Sequence, residues 1–147
     1  GDATPKEFAL LYGLTPERFD QLHDRVLASN PGFQGVRSTR TDSRVRVAAA
    51  LRFLNGGSAL DVSRIHGMRT VSFYAQFRET IGAIGFALPA IEERLQAVLE
   101  ARSTNGKLQH NGHATFALKA IKDYMDDLDN LRQRRSQDAA SFEATDV

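Results

Sequence analysis

Residues 51–81 read LRFLNGGSALDVSRIHGMRTVSFYAQFRETI, and the way this stretch is divided decides the fold. The run NGGS at 55–58 stops whatever precedes it, and Ser58 stands where a helix N-cap belongs, with Asp61 in the position of a capping-box acid. The spacing predicts a short helix from 59 to 65, a tight HGMR turn about Gly67, and a longer helix from Val71 with Thr70 as its cap. On that longer helix Phe73, Phe77, Ile81 and Ile84 recur at intervals of four, four and three, which makes one buried seam. What the pair is for depends on the face that the seam leaves outside.

Upstream, Thr15, Pro16 and Glu17 form a helix start, followed by Phe19, Leu22, Val26 and Leu27 on an apolar face. KEFALLYGL before it is either a short helix ending at Gly13 or a hydrophobic lead-in. Asn30 precedes a proline, so the helix ends there, and Phe33 is expected to plug the core. Thr41, Asp42 and Ser43 are candidate caps for a helix over 44–54, buried through Val45, Ala48, Leu51 and Phe53 or Leu54. Downstream, the pattern restarts after Gly82 and Gly85. Leu88, Ile91, Leu95 and Val98 or Leu99 share one face, and STNGKLQHNGH interrupts it. A last helix then aligns Leu118, Ile121, Met125 and Leu128 near a heptad spacing. Residues 136–147 lack periodicity and read as a disordered tail.

The whole is an all-α chain: a helical bundle containing a helix-turn-helix over 1–87, with additional C-terminal helices over 88–135 that pack on it or extend it. Its 147 residues, 41% of them hydrophobic, suffice for one core, and no stretch alternates with period two. No apolar run approaches the roughly 20 residues of a membrane span, so a soluble chain is expected. Without cysteine there is no disulfide framework and no cysteine-rich zinc site. The first residue is glycine, which suggests a processed product or a fragment.

The net charge of +1 hides an asymmetry. Residues 34–78 hold eight arginines against two aspartates, a net +6, while the remainder carries eleven positive and sixteen negative charges, a net −5. Arginine's planar fork suits phosphate and guanine, so the segment reads as anion-facing, against the plainer alternative of a solvated arginine-rich surface. Arg37, Arg40, Arg44 and Arg46 are expected to lie along a phosphate backbone. With the aromatic seam turned inward, a 100° step leaves Val71, Ser72, Ala75, Arg78 and Glu79 outward and Gln76 at the margin. Arg69, Ser72, Gln76 and Arg78 are then the expected readers of bases. Glu79 is awkward beside phosphate.

Residues 45–84, VRVAAALRFLNGGSALDVSRIHGMRTVSFYAQFRETIGAI, resemble the N-terminal helix-turn-helix region of Harbinger-type (PIF/Harbinger) transposases and their domesticated relatives. The family looks like this in its AALRFLA-G helix, its small-residue turn, and its STFY-like start to the next helix, which here reads TVSFY. Residues 8–33 are also similar to the family's lead-in helix, so the resemblance covers roughly 8–86. It implies a head that binds double-stranded DNA in the nucleus, followed by an RNase H-like nuclease with three metal-holding acids. The residues after 86 supply no such nuclease: they read as helices, and NGHATFA at 111–117 has no acid where the family's G-x-x-D-G would stand.

Other constellations are discounted. His110 and His113 lie three apart in a polar loop without a converging carboxylate, and His23 and His66 stand singly. Asp123, Asp126, Asp127 and Asp129 fall on successive helix faces, not in a calcium loop, and are expected to be a solvated face. NGGS is too short for a phosphate loop. No catalytic residue, metal or cofactor is expected. The alternative to a DNA-binding module is a protein-docking bundle, or self-association, through the helix at 115–135.

Overall fold

Local rules place most of the helices in the computed structural model, which describes residues 4–34, 42–101 and 112–145, with side chains as far as 140. Helix α1 (Pro5–Tyr12) starts with a capping box: Glu7 N donates to Thr4 Oγ1 at 3.1 Å and Thr4 N to the Glu7 carboxylate at 3.4 Å. Gly13 ends it at φ +77°, the left-handed conformation that glycine adopts without a Cβ clash. Helix α2 (Pro16–Ser29) is capped by Thr15, whose hydroxyl accepts from Arg18 N at 3.2 Å, and it buries Phe19, Leu22 and Val26. A 3-10 turn, Pro31–Gln34, then carries Phe33 into the core. Helix α3 (Ser43–Leu54) is capped by Asp42, α4 (Ala59–Ile65) by Ser58, and α5 runs Thr70–Ala87. After a 3-10 turn at Pro89–Ile91 come α6 (Glu92–Glu100) and α7 (Gly112–Thr145). Among the described residues there is no strand, and no helix is long and apolar enough to cross a membrane.

The buried residues form one cluster from Leu14 to Met125, so the described helices before and after Leu88 share a single core. Helix α5 is its axis and touches α2, α3, α4 and α6. Phe73, Phe77, Ile81 and Ile84 all face inward, and Phe53 of α3 packs edge-on to Phe77 with ring centroids 4.9 Å apart. The apolar seam of α7, Leu118, Ile121 and Met125, is spent inside this bundle and is not free for a coiled coil. Arg18 fastens α2 to α7 by donating from Nε to Asp126 and from Nη2 to Asp129, each at 3.1 Å. Two aspartates expected on a solvated face thus form a clasp.

Four expectations are corrected. On α3, Leu51, Phe53 and Leu54 are buried as expected and are joined by Val47, Ala49 and Ala50, whereas Val45 and Ala48 are only half-buried. Helix α5 continues through Gly82 and Gly85, because packing of Ile81, Ile84 and Ala87 outweighs the roughly 1 kcal/mol that a helical glycine costs. The expected disordered tail at 136–147 is helical as far as Thr145: a helix already nucleated by packing propagates cheaply where neither glycine nor proline interrupts, although residues 130–140 are exposed. Finally, Thr70 is the first residue of α5 and not its cap.

One ionisable contact inside the bundle has a measurable consequence. His23 Nε2 shares a 2.9 Å hydrogen bond with the buried Ser43 Oγ, joining α2 to the start of α3. Burial first, and the Arg44 charge second, hold the imidazole below its ordinary value of 6.5, against the opposing pull of Asp24, Asp42 and Asp20. A histidine lowered on folding is protonated more readily when unfolded. Its contribution is therefore complete above about pH 6.5 and declines as pH falls below that value. Urea midpoints are expected to drop between pH 7.5 and pH 5 by more in the native chain than in His23→Gln. Equal drops would remove His23 from the account.

Candidate nucleic-acid interface

The α4–α5 pair is built as a braced turn. Ser63 is fully buried, donates to Leu60 O at 2.9 Å and bonds Thr70 Oγ1 at 3.1 Å, which pins the start of α5 to α4. Gly67 turns the chain at φ +67°, a conformation in which any side chain would be strained. Met68 N donates to Ser63 O at 2.8 Å and its side chain is buried. From outside, α1 holds the same turn. The Val62 carbonyl can only accept, so His66 Nδ1 donates to it at 2.7 Å, and Nε2 shares a 2.9 Å hydrogen bond with the Tyr12 hydroxyl. Burial pushes the Tyr12 phenol up, against the opposing charge of Arg52. Thr70 is engaged with Ser63 and no side chain caps α5, whose N-terminus carries the partial positive charge of a helix start.

The expected phosphate contacts divide. Arg37 and Arg40 lie outside the described residues. Arg44 is half exposed but paired with Asp20, its guanidinium 4.9 Å from the Phe19 ring centroid. Arg46 is a correction: it is only 3% exposed and belongs to the core. It donates to the Phe33 carbonyl, its guanidinium lies 3.9 Å from the Phe33 ring centroid, and Nη1 is 3.4 Å from the Glu79 carboxylate. The phase of α3 turns position 46 inward with Val47, and the carbonyl and ring of Phe33 make that burial tolerable for a cation. Arg46 therefore cannot lie along a phosphate backbone. Its position does answer for Glu79, whose negative charge is drawn to an internal cation.

The expected base readers divide as well. Arg69 is exposed at the N-cap of α5. Ser72 and Gln76 are half-buried and engaged with the helix itself: Gln76 Nε2 donates to Ser72 Oγ at 3.2 Å, and Ser72 Oγ donates to Arg69 O at 3.1 Å. The outward line of α5 instead carries Val71, Ala75, Arg78 and Glu79, continuing to Gly82 and Phe86. Arg64, in the exposed last turn of α4 five residues before Arg69, joins this surface without being among the residues expected there, although its place on the outer side of a short capped helix is a sufficient signal. Arg64, Arg69 and Arg78 make no ion pair among the described residues, unlike Arg18, Arg44 and Arg46. Among those residues no three histidine, cysteine or acidic side chains converge as a metal site.

Comparison with protein-family models, with curated proteins and with solved structures finds no match to this chain.

Proposed function

We propose that this chain is a DNA-binding helix-turn-helix module of transposase origin, with α5 entering the major groove and α4 bracing it across the backbone. The observation that carries the reading is the set of exposed or half-exposed arginines, Arg64, Arg69 and Arg78, without carboxylate partners among the described residues, on the outer side of a turn held rigid by Ser63, Gly67 and His66. A groove-inserted helix needs a face free of bulk near its N-terminus, and Val71 and Ala75 leave that room. The resemblance of residues 45–84 to Harbinger-type transposases supports the same assignment. After α5 the described chain continues as the helices Glu92–Glu100 and Gly112–Thr145, so the nuclease that the resemblance would add is not built from them.

A second reading rests on the exposed apolar side chains Ile65, Val71, Phe86 and Phe116, which suit a docked protein. Salt separates the two. Fluorescence anisotropy with a random-sequence duplex is expected to show log K falling with log salt at a slope of about −2.7 or steeper, the release of counterions from three or more phosphates. Binding that ignores salt, or no binding at low salt, would hand the surface to a protein partner.

A further inference from the structure

Resting on that DNA-binding reading, we infer that Val71, with Ala75 beside it, recognises the 5-methyl group of thymine in the major groove of duplex DNA. Val71 is 85% exposed, above every other large apolar side chain on the described surface. A single exposed valine is ordinary; its surroundings are not. It occupies the first turn of α5, two residues after Arg69 and, at i+7, in line with Arg78, and neither arginine has an ion-pair partner among the described residues. The one carboxylate on that face, Glu79, is held toward Arg46. An apolar group in the middle of a cationic rim calls for a ligand that is anionic at its margins and apolar at one point inside.

Duplex DNA has that arrangement in the major groove. Phosphates line both edges, and among the groups that base pairs present on the floor, the thymine methyl is the apolar one. Valine and alanine have no donor or acceptor, so a methyl is the only base feature they can read. Ser72 and Gln76, the polar side chains nearby, are engaged with each other and with Arg69 O, which leaves the apolar contact at the centre of the face. A protein ligand fits less well, because a standard protein interface buries about 800 Å² on each side and Val71 and Ala75 offer little apolar area before the arginines begin.

The test begins with selection of bound sites from a random duplex pool. The enriched duplex is then titrated with each thymine replaced in turn by deoxyuridine, which pairs identically but lacks the methyl. One or two replacements are expected to weaken binding by about fourfold each, equivalent to about 0.8 kcal/mol for one methyl-sized group. Val71→Ala, whose side chain supports nothing in the core, is expected to fold normally by circular dichroism and to lose that sensitivity at one position. A pool without thymine enrichment, or replacements without effect on salt-dependent binding, overturns the inference and leaves the DNA-binding reading standing. Failure to bind any duplex at low salt overturns both. A dimer seen by sedimentation and abolished by Val71→Ser assigns the face to a second copy of the chain and likewise overturns it.

Discussion

Replacing Phe77 by alanine is expected to cost the fold about 3–5 kcal/mol, the range for emptying a large aromatic site in a packed core. Phe77 is 2% exposed on the helix that touches four others. Its ring meets Phe53 edge-on at 4.9 Å and lies parallel to Phe73 at 6.0 Å, so its loss opens a void between α3 and α5 that neither neighbour can close without leaving its own contacts. Against a typical total stability of about 5–15 kcal/mol, that is enough to leave a substantial unfolded fraction near physiological temperature. Urea unfolding followed by circular dichroism measures the difference, with Ala75→Ser, outward on the same helix, as the control expected to stay within about 0.5 kcal/mol. A Phe77→Ala protein destabilised by less than about 1 kcal/mol would mean that α5 is not the axis of this core. Because Phe77 faces away from the proposed groove, any loss of DNA binding in this variant should follow the loss of helix signal and have no sequence dependence.

The seam that makes Phe77 decisive is legible in the sequence, and so are the caps at Thr15 and Ser58 and the glycine turn at 67. Each is a local rule, satisfied within three or four residues of chain. The inward phase of α3 is not legible. VRVAAALRFL carries apolar residues on more than one face, and the choice is made by Phe33, whose carbonyl and ring accept Arg46 from 13 residues away in sequence. Nothing near position 46 announces that partner. The same limit applies to the charge count. Eight arginines in 34–78 suggest a broad basic surface, but Arg46 is internal and Arg44 pairs with Asp20, which lies 24 residues earlier. Net charge is a sum over sequence; accessible charge is decided by tertiary contacts. The glycines at 82 and 85 mislead for a related reason, since their local propensity is overridden by packing that only the assembled bundle supplies.

Simultaneous replacement of Arg64, Arg69 and Arg78 by alanine is expected to flatten the salt slope of duplex binding by about three units and to weaken binding on the order of a hundredfold to a thousandfold near 0.1 M salt. The size follows from counting: each guanidinium that neutralises a phosphate releases close to one counterion, and these three have no carboxylate among the described residues to compete for them. The fold should survive, because none of the three is buried or bridges helices. Arg18→Ala is the counter-experiment. It removes a positive charge as well, but one committed to Asp126 and Asp129 between α2 and α7, so it should lower stability and leave the slope unchanged. Arg46→Ala should resemble Arg18→Ala in destabilising, because it strips the Phe33 carbonyl of its donor and takes the internal cation from Glu79 beside the proposed groove. That makes the single substitutions informative in opposite senses. If accessible charge governs binding, Arg69→Ala weakens it without loosening the fold, and Arg46→Ala loosens the fold first. A triple variant that stays folded and binds duplex with an unaltered slope would show that the phosphates are met elsewhere, and α5 would lose its place as the inserted helix.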